Sequence, residues 1–361
     1  MSKDSTTLFQ ERVKTAIAEA SPVAILGNGT KSFYGRIAQG QPLRVSEHAG
    51  ILNYQPKELV LTARAGTTLD EIEDALARQG QSLAFEPPHF RPSGDAPDAT
   101  LGGTLACGLA GPARPYAGAA RDLVLGVRIL TGRAEVLRFG GEVMKNVAGY
   151  DVSRLMAGAM GTLGILLDIS LKVMPRPAIS ETRILSAGIE QALDLMIDWA
   201  AKPWPVTATA WYAGRLWVRL SGGRQGVSEA AQRIGGEVMD PHEAETFWRD
   251  LIREQGHRFF SGEGPLWRLS LPANVPHLAL AGDQLIEWSG SQRWLRGDAD
   301  AERIRGAVSA VGGHATLFRG GDRAGHVFHP LSEPLMRLHL RLKQSFDPHG
   351  ILNPGRLYAE F

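Results

Sequence analysis

At 361 residues, 43% hydrophobic and 21% charged, the chain is too long for one ordinary core and predicts two or three globular domains. A formal charge of +1 with no Lys/Arg run gives no electrostatic footprint for nucleic acid, and a single cysteine, Cys107, excludes an internal disulfide framework. The polar amino end, MSKDSTTLFQERVKTA, lacks a signal-peptide core, and the longest apolar run, LGILLDISLKVM, is broken by Asp168, Ser170 and Lys172, so a soluble, cytoplasmic chain without direct membrane insertion is expected, one that a partner could still hold at the inner membrane.

Leu8, Val13, Ile17 and Ala20 recur at helical spacing and predict a helix over 7–20, stopped by Pro22. Val23-Ala24-Ile25-Leu26 then reads as a short buried strand running into the tight turn Gly27-Asn28-Gly29-Thr30-Lys31-Ser32. A second strand is expected over 59–63. A helix follows to about Gln79, with Thr68 as N-cap, Glu71 completing a capping box and Gly80 closing it. From Gly94 to Gly164 there are 14 glycines in 71 positions, far above the ~7% of average usage. They alternate with strand formers such as Leu123-Val124-Leu125 and Ile129-Leu130, so the region is no flexible linker. Glycine at this density lets main-chain N–H groups approach a ligand.

After Pro175-Arg176-Pro177 the composition changes. All eight tryptophans fall between Trp199 and Trp294. Helices are expected over 189–199 and 227–234, with strands over 208–211 and 215–220, which places a boundary near 176–181. Beyond Gly313 the chain reads as loop until a helix over 334–346, with Leu335, Leu338 and Leu342 on one face.

The turn Leu26-Gly27-Asn28-Gly29-Thr30 stacks N–H groups into a concavity suited to a phosphate or pyrophosphate, or serves as a plain strand connection. It lacks the third glycine of the dinucleotide fingerprint and the Gly-Lys-Ser/Thr ending of a P-loop. Thr100-Leu101-Gly102-Gly103-Thr104, with Gly108 and Gly111, supplies a second glycine segment. If the two segments lie on neighbouring strands they clamp a pyrophosphate from both sides; otherwise they are turns of a β layer. Arg121-Asp122, heading a buried strand, reads equally as a structural ion pair.

GNGT, ATLGGTLACGLAGP, GAARDLVLGVRILTGRAEVLRFGGEVMKNVAGYDVSRLMAGAMGTLGI and the ending SFDPHGILNPGR together resemble the PCMH-type FAD-binding domain of the vanillyl-alcohol oxidase family. GGEVMKNVAGYDVSRLM, Leu266-Trp267-Arg268-Leu269-Ser270-Leu271-Pro272, Gly312-Gly313-His314-Ala315-Thr316 and LNPGRLYAE extend the resemblance over nearly the whole chain, to the FAD-binding E subunits of bacterial glycolate oxidases. The resemblance implies an α+β fold. Its two-subdomain FAD-binding domain would span 1–178, an α/β cap-like domain for substrate or partner 179–330, and a carboxyl-terminal segment returning to the flavin domain 331–361.

It further implies an FAD held by Leu26, Gly27, Asn28, Gly29, Thr30, Lys31, Pro88, Thr100, Gly102, Gly103, Thr104, Gly108, Gly111, Gly118 and Asn353. Gly161, Gly164 and Ile165 would lie on the adenine–ribose side, and Arg121 and Asp122 would buttress the flavin loop. Thr30 stands where some relatives carry a flavin-tethering histidine, which implies a non-covalent cofactor. Cys107 reads as a buried apolar thiol. Lys145, Asn146 and Tyr150 either face the flavin or substrate or precede a helix over 151–156 capped by Asp151.

Oxidising a 2-hydroxy acid calls for a cation on the carboxylate and a base for the hydroxyl proton, for which Arg268 and His314 are the candidates. Each also reads as an ordinary surface or loop residue. Relatives that act unaided carry H-x-x-G-D-G-N-x-H. His314, Gly320-Gly321-Asp322-Arg323, His326 and His329 do not form it, so no metal is expected. This departure implies a subunit that holds a second flavin or shapes the complex while a catalytic flavoprotein partner oxidises glycolate. Electrons would leave by an iron–sulfur partner, because one cysteine cannot ligate a cluster. A non-catalytic assembly subunit and a self-sufficient flavin oxidase of another alcohol remain the other readings.

Overall fold

A computed structural model describes residues 3–91, 97–141 and 150–361. The chain forms two compact units, the first from Met1–Leu109, Ala119–Pro175 and Asp322–Phe361, the second from Ala110–Gly118 and Arg176–Gly321. The break after Pro175 falls at the edge of the tryptophan-rich half, but two short pieces sit apart from the sequence expectation. Residues 110–118, with helix α4 (Arg114–Ala117), cluster with the second unit because Trp288 Nε1 donates to the Gly111 carbonyl (3.0 Å) and Arg114 lies over the Trp288 ring. Residues 322–330 cluster with the first, where Arg323 donates to the Gly35 carbonyl (2.7 Å) and the His329 carbonyl accepts from Tyr358 (3.1 Å).

In the first unit, α1 (Thr6–Ala18) buries Phe9, Val13 and Ala16 at threes and fours. Strand β1 (Val23–Leu26) pairs in parallel with β2 (Gln41–Arg44). A five-stranded antiparallel sheet follows the order β3-β4-β8-β6-β7, with β3 at Ile51–Gln55, β4 at Val60–Arg64, β6 at Val124–Leu130, β7 at Val136–Gly140 and β8 at Ile165–Lys172. A short ribbon joins β5 (Gln81–Ser82) to β9 (Met174–Pro175). Helix α2 (Leu69–Ala77) starts as its sequence dictates, with Thr68 Oγ1 accepting the Glu71 N–H (3.3 Å).

The glycine segment 100–107 is not on a strand. It forms helix α3 (Leu101–Cys107), capped by Thr100 Oγ1 on the Gly103 N–H (3.2 Å) and ended by Gly108 at φ +62°. A Thr N-cap and a left-handed glycine stop outweigh the low helix propensity of two glycines confined to the first turn. The short helix α5 (Ala120–Leu123) precedes β6 and α6 (Tyr150–Leu155) follows β7 in sequence, and α6 starts ahead of the cap expected at Asp151. Helix α11 (Glu333–Phe346) exposes Leu335 and Leu338 by 48% and 52%, and its buried residue is Lys343. Beyond it, Leu352 bridges Val23 in parallel, and Ile351 and Leu352 share a core with Phe9, Val13, Val23, Leu130, Ile165 and Leu167.

The second unit is an eight-stranded antiparallel sheet in the order β13-β10-β12-β11-β15-β16-β14-β17. Its strands are β10 (Ile179–Ser186), β11 (Val206–Tyr212), β12 (Arg215–Gly222), β13 (Glu237–Val238), β14 (Leu266–Ser270), β15 (Asp283–Glu287), β16 (Gln292–Arg296) and β17 (His314–Arg319). Alternation on β12 sends Leu216, Val218 and Leu220 into a core with α7 (Ile189–Ala200) and α8 (Arg224–Ile234), while α9 (Pro241–Thr246) leads off a separate aromatic cluster. Trp267 and Leu269 of β14 share a second core with Ala315 and Leu317 of β17 and with Ile304 and Val308 of α10 (Ala301–Ser309). The stretch after Gly313, expected as loop, is therefore strand β17, whose alternating pattern is short enough to hide among glycines.

Arg293 is fully buried in this unit, donating from Nε to the Gly290 carbonyl (3.1 Å), from Nη1 to Pro276 (2.7 Å) and from Nη2 to Val275. Burial pulls its guanidinium down to about 10. Arg293→Met leaves these buried carbonyls without donors, at ~1–3 kcal/mol for each such group. The expected result is a loss of about 3 kcal/mol in chemical denaturation followed by tryptophan emission.

Candidate cofactor cradle

The site begins where β1 runs out. Gly27 has no room for a side chain, since a Cβ there would lie 2.5 Å from Thr100 Oγ1. Gly29 takes φ +78°, a conformation other residues rarely adopt. Asn28 Nδ2 donates to the Asp98 carbonyl (2.8 Å) and Ser32 Oγ to the Gly29 carbonyl (2.8 Å), fixing the turn from both ends. Among the described residues nothing accepts from the main-chain N–H groups of Gly27, Asn28, Gly29 and Thr30. These donors border a cleft of about 530 Å³, open to solvent, whose other walls are Thr100, Gly103, Ala106 and Cys107 of the α3 segment with Met160, Asn353 and Arg356. Consecutive free N–H groups in a concavity form an anion nest.

Two cations adjoin the nest. Lys31 is buried, its Nζ donating to the His89 carbonyl (3.3 Å), and Arg356 lines the cleft while donating to the Tyr34 carbonyl (2.6 Å). Burial pushes the Cys107 thiol up, so it stands in the wall as a neutral group. Asn353, at φ +44°, accepts the Ile25 N–H on Oδ1 (2.7 Å) and donates from Nδ2 to the Met160 carbonyl (2.6 Å).

Behind the turn lies a charged cluster that sequence reasoning missed. His89 Nδ1 meets Asp98 Oδ1 at 2.8 Å and Nε2 meets Glu73 Oε1 at 3.3 Å, while Asp98 Oδ2 accepts the Asp70 N–H (2.8 Å) and Arg91 pairs with Asp70 and Asp98. Burial works against the imidazolium, but hydrogen bonds to Asp98 and Glu73 carry His89 up to about 9. The cluster ties His89, Arg91 and Asp98 to α2 and so places the Asp98 carbonyl that holds Asn28. Its one signal in the sequence was His89 and Arg91 bracketing Phe90 straight after Pro87-Pro88, following the acidic helix start at Asp70.

Of the residues expected to hold a cofactor, the cleft gathers Leu26, Gly27, Asn28, Gly29, Thr30, Lys31, Thr100, Gly103 and Asn353. Others support it from behind or beside. A Cβ on Gly102 would meet Ala65 at 2.7 Å, Gly108 abuts Gly158, Gly161 abuts Asn353, and Thr104 and Pro88 are buried. Gly164 packs beside the Leu130 carbonyl, and Ile165 is a core side chain, not a wall of the cleft. Gly111 and Gly118 belong to the second unit. Arg121 is exposed; Asp122 accepts the Ala119 N–H (3.0 Å) and an Arg154 guanidinium N–H (2.8 Å), which makes this pair a cap and surface ion-pair cluster. Lys145, Asn146 and the side chains of Tyr150 and Asp151 lie outside the described residues.

Arg268 and His314 are both in the second unit, on neighbouring strands, where Arg268 is half-buried opposite Thr316 and His314 is exposed opposite Ser270. His314 thus opens β17 and does not sit in a loop. Sequence reasoning also passed over Ala106, Met160 and Arg356, and read Cys107 only as a buried apolar thiol without placing it in the cleft wall. Ala106 and Cys107 were findable, since they follow Gly103 by three and four residues and so share its helix face.

A nest of free amides, a position closed to any Cβ and two adjacent cations fit a diphosphate, and with this fold they define a flavoprotein of the FAD-binding type. A sequence profile described as an FAD binding domain matches residues 4–140. The chain is 48% identical to the glycolate oxidase subunit GlcE of Escherichia coli K12 over 99% of its length and 98% of that protein. It is 32% identical to the glycolate oxidase subunit GlcD of Bacillus subtilis 168, covering 94% of this chain and 84% of that one. Among solved structures, alkyldihydroxyacetonephosphate synthase shares the fold, with a TM-score of 0.64 over 96% of this chain and 75% of that one at 15% identity. The chain belongs to the family of FAD-binding glycolate oxidase subunits and their relatives, FAD-dependent oxidoreductases acting on CH–OH groups. Among the described residues no helix is long and apolar enough to cross a membrane.

Gly27→Ala and Gly29→Val are expected to lower bound FAD at least about tenfold, because each closes the nest by sterics or strain. Flavin absorbance per chain, with circular dichroism confirming the fold, reads the outcome. His89 binds its proton more tightly folded (about 9) than unfolded (~6.5), so its contribution is complete below pH ~6.5 and lost as pH rises through about 9. That contribution is on the order of 3 kcal/mol. Thermal melts of His89→Gln should lie below those of the parent near pH 6.5 and converge with them by about pH 9.5.

Proposed function

We propose that this chain is the FAD-holding subunit of a complex that oxidises glycolate to glyoxylate, working with a catalytic flavoprotein subunit and an iron–sulfur subunit. The observation that carries the proposal is the run of amides at 27–30, unpaired among the described residues, beside Lys31 and Arg356. Bound FAD supplies a hydride acceptor. The chain's own residues do the holding: the N–H groups of Gly27, Asn28, Gly29 and Thr30 neutralise a diphosphate, and Thr100, Gly103 and Asn353 shape the wall. Attachment is non-covalent, since Thr30 offers no nucleophilic ring where a tethering histidine would stand.

Arg268 and His314 are proposed as the carboxylate clamp and the proton-accepting group. Their support is registry. Arg268 faces Thr316 and His314 lies two residues before Thr316, so both side chains leave the same face of the sheet, opposite the core of Trp267, Leu269 and α10. Cys107, the single thiol and part of the cleft wall, cannot ligate an iron–sulfur cluster, which sends electrons to a partner.

The test is glycolate titration of the chain purified alone and with its partner subunits, followed at the flavin bands. The chain alone should carry acid-releasable FAD, and glycolate should bleach it only in the presence of the partners. A colourless chain after expression with ample riboflavin would make it an assembly subunit instead. Bleaching of the isolated chain would make it a self-sufficient oxidase.

A further inference from the structure

We infer that the buried Lys343–Asp347 pair is a positioning device for the cofactor cleft, acting through Asn353; the inference rests on the FAD reading above. Lys343 and Asp347 are 6% and 1% exposed, and Nζ meets Oδ2 at 2.7 Å. The ammonium spends its other two donors on the carbonyls of Leu352 (2.7 Å) and Thr162 (2.9 Å). Asp347 accepts the Leu352 N–H on Oδ2 (2.8 Å) and the Ile351 N–H on Oδ1 (3.2 Å). Gly132 makes room for the carboxylate, since a Cβ there would lie 2.1 Å from Oδ1.

The pair therefore fastens two separate stretches, 351–352 and the turn at 162. Asn353 spans the same two stretches one step nearer the cleft, joining Ile25 to Met160, and Ile25, Met160 and Asn353 all line it. Buried ion pairs are a poor source of net stability, and well-packed apolar side chains often replace them without loss. An apolar pair would fill this volume but would not direct three donors at three acceptors on different segments. The arrangement thus specifies where the carboxyl-terminal segment 351–353 lies against β1, and with it the far wall of the cleft.

The experiment compares Lys343→Met, Asp347→Asn, Asn353→Ala and the double variant Lys343→Met/Asn353→Ala in the full-length chain. FAD affinity is measured by quenching of flavin fluorescence on the apo-chain, and the alkylation rate of Cys107, the only cysteine and a wall of the same cleft, is measured without flavin. His48→Gln, which breaks a different buried cluster of the same unit with Asp168, serves as the control. Each single variant should weaken FAD about tenfold and speed Cys107 alkylation several-fold, and the double variant should do little more than either single. The control should lower the melting temperature while leaving both readouts within about twofold. The inference is overturned if Lys343→Met and Asp347→Asn lower the melting temperature alone, or if the effects of Lys343→Met and Asn353→Ala multiply. Should Lys343→Met fail to fold, the near-isosteric Asp347→Asn decides the same question. A parent chain that takes up no FAD would defeat the proposed function, while the alkylation rates would still decide the role of the pair.

Discussion

Main-chain amides at the end of β1 are the constraint around which the first unit is arranged. Four successive residues, Gly27 to Thr30, line a cleft because Gly27 leaves the space beside Thr100 empty and Gly29 turns the chain through a left-handed conformation, and among the described residues nothing accepts from their N–H groups. A side chain at either place would close the concavity or turn its donors away. The supporting interactions hold this geometry from several directions. Asp98 fixes Asn28, the His89 cluster fixes Asp98, and α2 fixes the His89 cluster through Glu73 and the Asp70 N–H.

The cleft also draws on remote parts of the chain. Its walls come from residues near 26, 103, 160 and 353, and only the first of these is local to the turn. The carboxyl-terminal residues Ile351 and Leu352 enter the same hydrophobic core as α1 and β1, so burial and hydrogen bonding pull in the same direction. The site is thereby completed by a segment 328 residues from Ile25 in sequence, and the amides that follow β1 acquire their full surroundings only when that segment docks.

Local signals were legible where a few neighbouring residues decide the outcome. The strand before Gly27, the Thr68 cap with Glu71 and the change of composition near Pro175 each rest on short-range rules, and each reappears in the structure. Segment 100–107, which the sequence leaves open as a strand neighbour of the first turn or as turns of a β layer, is a helix, because the Thr100 cap and the Gly108 stop outweigh its glycine content. The assignment of 110–118 to the first unit failed for a different reason. Trp288, which captures the Gly111 carbonyl, lies 177 residues away, and no local pattern announces that contact. The same limit hid the His89 cluster, the common face of Arg268 and His314, and the partners of Lys343, all of which depend on strand register or on segments distant in sequence.

The uneven distribution of tryptophan gives the molecule two separable optical signatures. Every indole lies in the second unit, packed into its cores or against arginine and phenylalanine rings, as with Trp294 on Phe318 and Trp288 under Arg114. Ultraviolet emission excited at the red edge of the protein band therefore reports on that unit alone, whereas an isoalloxazine chromophore would report on the other. A melt recorded at the two wavelengths separates the unfolding of one half from the other without any label being introduced.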